Sequence, residues 1–176
     1  MKYKNTVPTS IERVLADDEF IISKTDTKGK IIYGNRQFNA YSGFSENELL
    51  GVQHNIVRHP DMPRAVFKLL WDEVQAGREV FAFVKNLSKD GSFYWVFANV
   101  TPSFDMKDNI VGYFSVRRKP KRSALPQVAD LYQRMLSAER QAGPRDAIEA
   151  STQILRDALN TAHTNYEDWV LNLQNA

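Results

Sequence analysis

Apolar and polar positions along this chain change period several times, and each change marks an element. Residues 20–25 are rich in β-branched and aromatic side chains, Asp26-Thr27-Lys28-Gly29 supplies turn chemistry, and Lys30-Ile31-Ile32-Tyr33 resumes the extended run. The spacing predicts a hairpin. Residues 35–41 then carry Phe38 and Tyr41 at helical spacing, and Ser42-Gly43-Phe44 breaks the pattern. Ser45 with Glu48 three residues later reads as a capping box, opening a short helix into Leu49-Leu50 that stops at Gly51. Pro63 can open a longer helix, in which Val66, Phe67, Leu70, Trp71 and Val74 recur at three- and four-residue steps up to Gly77.

Period two returns after Gly77. Val80–Leu87 and Phe93–Phe104 read as strands around Ser88-Lys89-Asp90-Gly91-Ser92, whose Asp-Gly pair is a strong hairpin signal, and a turn over 105–109 leads to a last strand over 110–116. The strands fall in two runs instead of alternating with helices. This predicts an α+β domain over residues 20–118: a five-stranded antiparallel sheet with helices on one face, enclosing a cavity that side chains or a ligand can fill.

Residues 1–19 form an N-terminal extension to that domain. After it, Arg117-Arg118-Lys119-Pro120-Lys121-Arg122 is basic at five of six positions and reads as a solvated boundary, with a basic linker over 119–124. Residues 125–176 are helical in pattern. Val128, Leu131, Tyr132, Met135 and Leu136 share one face up to residue 139, and Gly143-Pro144 ends that helix. Over 146–173 the steps alternate between four and three, through residues such as Ile148, Leu155, Leu159, Tyr166 and Trp169, which predicts one heptad-like helix. An apolar stripe has to be covered, so the tail is expected to form a helical hairpin or to pair with its copy in a homodimer.

Composition narrows the functional classes. Hydrophobic residues make up 43% and charged residues 25% of the 176, as in ordinary globular proteins, and a net charge of +2 gives no case for nucleic acid. The absence of cysteine excludes disulfides and cysteine nucleophiles, and zinc would find at most two clustered histidines. The N-terminus lacks the apolar run of a signal peptide, and no stretch of 18 apolar residues spans a membrane, so a cytoplasmic location is expected. Nucleophile elbows, phosphate-binding glycine loops and metalloprotease histidine pairs do not occur, so a non-enzymatic role is expected. His163 reads as solvent-facing.

The candidate chemistry gathers in His54-Asn55-Ile56-Val57-Arg58-His59-Pro60-Asp61-Met62-Pro63, which holds two of the three histidines. Arg58 offers a planar fork matched to a phosphate or pyrophosphate, and His54 or His59 can add a second donor. Alternatively, Arg58 and Asp61 form an ion pair that braces the loop. Asn35 and Asn86 each bring a donor and an acceptor, as the uracil-like edge of an isoalloxazine requires, although Asn35 also suits a helix cap. Phe67, Phe93, Trp95, Phe97 and Tyr113 can provide aromatic walls or ordinary core. His54 or His59 could also serve as an axial haem ligand, a weaker reading than flavin.

The loop from His54 to Pro63, together with Val84-Lys85-Asn86 and Tyr94-Trp95-Val96-x-Ala98-Asn99, resembles the flavin-binding PAS domains of bacterial aerotaxis transducers. The order of elements and Asn35 after the second strand agree. The resemblance covers roughly residues 15–118 and implies a PAS sensor domain that binds FAD through Asn35, His54, Arg58, Asp61, Asn86 and Trp95. It implies a cytoplasmic flavoprotein that reports redox state or oxygen to a separate signalling partner. Two departures stand out. The transducers commonly carry tryptophan in a Gly-x-x-Trp setting where this chain has Gly77-Arg78-Glu79-Val80, which leaves FMN, another planar ligand or no ligand as alternatives. Two helices also follow where transducers continue into a membrane anchor and a signalling coiled coil. The rival reading is a PAS interaction module acting through its tail. Without cysteine, the thiol photochemistry of light-sensing PAS relatives is excluded.

Overall fold

The computed structural model describes residues 6–176. Strands β1 (Ile21–Thr25) and β2 (Ile31–Gly34) form the first hairpin, followed by helices α1 (Arg36–Ser42) and α2 (Glu46–Leu49), a 3₁₀ turn at His54–Val57 and helix α3 (Arg64–Gln75). Strands β3 (Val80–Leu87), β4 (Phe93–Phe104) and β5 (Ile110–Arg118) complete one antiparallel sheet in the order β2-β1-β5-β4-β3. The α+β architecture thus agrees with the sequence pattern.

Strand parity decides what each face carries, because successive side chains point to opposite sides. In the β1/β5 and β5/β4 ladders Ile21 lies opposite Arg117 and Arg117 opposite Ala98, while Ser23 lies opposite Ser115 and Ser115 opposite Val100. In the β3/β4 ladder Asn86 pairs with Tyr94 and Val84 with Val96. Those residues face the helices α1–α3. The alternate positions, Phe83 with Phe97 and Lys85 with Trp95, face the other way.

That second face receives the tail. Helix α4 (Leu125–Thr161) buries Val128, Leu131, Tyr132 and Met135; the Tyr132 hydroxyl donates to the Phe83 carbonyl at 2.8 Å and its ring stacks on Trp95 with centroids 6.3 Å apart. Gly143 (φ 74°, ψ 175°) breaks the helix into two segments, as Gly143-Pro144 predicts. The continuous helix expected over 146–173 does not form. The chain turns after residue 161 with His163 at φ 51°, and Asn165 accepts from the Asp168 N–H at 2.8 Å to cap helix α5 (Tyr166–Asn175). A local cap outweighs heptad spacing there. The buried stripe is also displaced: Ala147, Ser151 and Leu155 are buried, and Ile148 is exposed. At the end of α5, Gln174 accepts from the Lys121 N–H at 2.9 Å, returning the tail to the point where it leaves the sheet. One contiguous apolar core contains Phe38 and Val66 beneath the sheet and Met135 and Val170 above it. Much of the tail's apolar side is thus covered within the chain, while Ile148 stays exposed. Among the described residues no helix is long and apolar enough to cross a membrane.

Candidate functional site

Between the sheet and α3 lies a cavity of about 230 Å³. Its sheet wall is built by parity from Ser23, Asn86, Ser115 and Arg117, and its helical wall by apolar side chains of α3 such as Phe67, Leu70 and Val74. The volume lies just below the roughly 300–1,000 Å³ of typical small-molecule sites, enough for a ring system while a longer ligand extends past the rim.

Arg117 dominates the electrostatics. It is 4% exposed, donates to Ser23 Oγ at 2.5 Å and to His54 Nε2 at 2.7 Å, and lies 5.2 Å over the Phe38 ring. No carboxylate pairs with it among the described residues. Burial lowers its pKa to about 10, still fully protonated at neutral pH. An arginine only donates, so His54 Nε2 must accept and the imidazole proton resides on Nδ1. Burial first, then the Arg117 charge, pushes His54 down to about 3, so this imidazole is neutral. It stacks on Phe38 at 5.6 Å.

Two neighbours have unused hydrogen-bonding capacity. Ser115 Oγ is buried without a partner, and the Asn86 amide, on a residue 4% exposed, makes no side-chain hydrogen bond among the described residues. Buried polar groups are normally satisfied, so free ones on a cavity wall fit a polar ligand edge. Arg58 stands half-buried at the rim, its Nη2 donating to the Met62 carbonyl at 2.9 Å and its guanidinium 4.3 Å over the Phe67 ring.

A PAS-fold family model matches residues 14–119, more than half of the chain. The chain belongs to the PAS family. Over 118 residues, 67% of this PAS chain, it is 40% identical to the aerotaxis receptor of Escherichia coli (strain K12), and the match spans 23% of that receptor. It is 26% identical over 97 residues to a nitrogen fixation regulatory protein of Klebsiella oxytoca, 55% of this chain and 20% of that protein. The chain thus spans under a quarter of the length of these curated relatives. The light-state structure of the blue-light photoreceptor Aureochrome1 LOV superposes with a TM-score of 0.53 at 27% identity, covering 69% of this chain and 93% of that one. The blue-light activated histidine kinase of Erythrobacter litoralis (EL346) shares the fold alone, with a TM-score of 0.54 at 17% identity, covering 68% of this chain and 40% of that one.

The PAS cavity brings together five of the residues singled out from sequence: His54, Arg58, Phe67, Asn86 and Tyr113. The others lie elsewhere. Asn35 is a cap, its Oδ1 accepting from the Ile22 and Phe38 N–H groups at 3.0 Å each and its Nδ2 donating to the Phe20 carbonyl at 2.7 Å. Asp61 accepts from Lys85 Nζ at 2.7 Å, so no Arg58–Asp61 pair forms. His59 is buried edge-on against Phe93 at 6.0 Å with Nε2 unpartnered, and burial together with Lys85 lowers its pKa to about 4. Trp95, Phe93 and Phe97 face away from the cavity, because Asn86 pairs with Tyr94 and parity sends their side chains outward. Among the expected aromatic walls, Phe67 and Tyr113 do line it.

Arg117, Ser115 and Ser23 escaped the sequence reading. Arg117 opens the basic run that reads as a solvated boundary, yet it closes the alternation Tyr113, Ser115, Arg117 along β5. That period-two pattern is the signal that could have found it. Trp71, in T-shaped contact with Tyr113 at 5.3 Å, also lines the cavity.

Proposed function

We propose that this PAS domain binds a flavin nucleotide, FAD in the first instance, and signals redox state or oxygen to a separate protein as a binding and signalling module without catalysis of its own. The observation that carries this reading is Arg117: a buried cation without a carboxylate partner, on a cavity wall beside an unpartnered serine hydroxyl and a free amide. Similarity to the aerotaxis receptor supports it. The donor set fits the group. Asn86, Ser115 and Arg117 match the carbonyl and imide edge of an isoalloxazine, Val57, Leu70 and Val84 form apolar walls, and Arg58 at the rim suits a phosphate.

A bound flavin supplies reversible electron uptake, which adds negative charge to its ring. Arg117 is placed to hold such charge, and Ser23 and neutral His54 to adjust with it. Strand β5 pairs with β4, whose outer face seats Trp95 on Tyr132 of the tail, a short route from cavity to surface. Two-state coupling of this kind needs a differential interaction with the two ligand states, which a fixed cation provides.

The test is the isolated chain. A yellow preparation, or reconstitution with FAD or FMN to a flavin spectrum, is expected, and Arg117→Met should weaken binding at least tenfold. A colourless protein that neither flavin restores overturns the reading.

A further inference from the structure

Glu139 lies on the first segment of α4 and is 8% exposed. Its Oε1 accepts from the Arg64 N–H at 2.6 Å, across 75 residues of sequence. Arg64 is the first residue of α3, where backbone N–H groups lack helical partners and the dipole is positive; the N-cap there is Pro63, whose ring carries no hydrogen-bond acceptor. The tail therefore supplies the cap that the local sequence lacks.

Arg58 Nη2 bonds the neutral Met62 carbonyl two residues before Arg64, which puts its guanidinium near this cap; burial lowers the Arg58 pKa, and the Glu139 charge opposes that shift. Arg58 lines the cavity rim and leads into α3, so one tail residue serves both the start of α3 and the charge at the rim.

We propose that Glu139 sets tail docking against the binding of an anionic ligand group at Arg58. The proposal rests on the flavin-nucleotide reading for the identity of that group, a phosphate. A phosphate drawn to Arg58 brings negative charge toward a buried carboxylate, where like charges repel more strongly than in water. Docked, Glu139 weakens phosphate binding; occupied, the rim weakens the Glu139 cap and loosens α4. Linkage makes the two effects equal in size.

The experiment uses the full chain and two ligands that share one ring, FMN with a phosphate and riboflavin without. Glu139→Gln keeps an oxygen acceptor for the Arg64 N–H and removes the charge. It should tighten FMN about five- to tenfold, within the usual span of coupling between sites, and leave riboflavin unchanged. In the wild type, FMN but not riboflavin should quicken amide exchange in α4, and E139Q should abolish the difference. Equal shifts for both ligands, or exchange indifferent to the phosphate, overturn the proposal. If neither flavin binds, the functional reading fails, and pyrophosphate becomes the probe. Faster α4 exchange with pyrophosphate in the wild type and not in E139Q sustains the coupling, and no change overturns it too.

Discussion

Burial holds the Arg117 guanidinium at about 10 and the His54 imidazole at about 3, and each fixes the other's hydrogen bonding. Removing a buried uncompensated charge for a side chain of similar length is often neutral or stabilising. Arg117→Met should therefore leave the ligand-free urea midpoint unchanged or raised while flavin affinity falls, a combination that a merely structural arginine would not give. The histidines make a separate statement about pH. Both His54 and His59 have folded pKa values below the ordinary 6.5, at about 3 and about 4. The unfolded chain thus binds more protons between those values, and stability, complete above pH 6.5, drains away as pH falls toward 4 and then 3. Each histidine contributes a slope of about 1.4 kcal/mol per pH unit inside its window. Urea midpoints at pH 7 and pH 5 should differ accordingly, and His54→Gln should remove about half of the difference.

Single elements depend on local chemistry that is readable in sequence and on parity that is only partly so. The two hairpins, the short helices and α3 follow from turn residues and periodicity. Asn35 shows how one residue type supports two readings: its amide ties the Phe20 carbonyl, the Ile22 N–H and the first turn of α1 together, so it serves the fold. Asn35→Ala should cost about 1–2 kcal/mol in thermal or urea unfolding, in line with lost N-caps, without changing flavin affinity in the folded protein. Loss of affinity at unchanged stability would contradict the cap assignment. Trp95 shows the opposite case. A strand of alternating aromatic residues states that two faces exist, and only the pairing of Asn86 with Tyr94 states which face holds the cavity. The tail adds a third case, since Asn165 and Asp168 spell a cap inside an otherwise continuous heptad pattern.

At the scale of the molecule, the sheet is covered on both sides by its own chain. Val128, Tyr132, Met135, Leu155 and Val170 share one apolar cluster with Phe38, Val66 and Phe83, so the tail and the PAS domain should unfold together. Urea transitions followed by tryptophan fluorescence and by far-ultraviolet circular dichroism are expected to coincide, and two separated transitions would show an independent tail. Trp169→Ala, at a site 9% exposed, should shift that single transition by about 3–5 kcal/mol. The sequence by itself determined the α+β class, the order of strands and helices over residues 20–118, the absence of thiol chemistry and the family, because periodicity, turn residues and motif spacing are local properties. It also brought His54, Arg58, Phe67 and Asn86 forward as site residues. Only the tertiary structure decided that Arg117 leaves the basic boundary to become the buried cation of the cavity, that Trp95 and Asp61 face away from it, and that Glu139 reaches α3. These depend on strand register and on which surfaces meet, and contacts between residues distant in sequence leave no periodic trace.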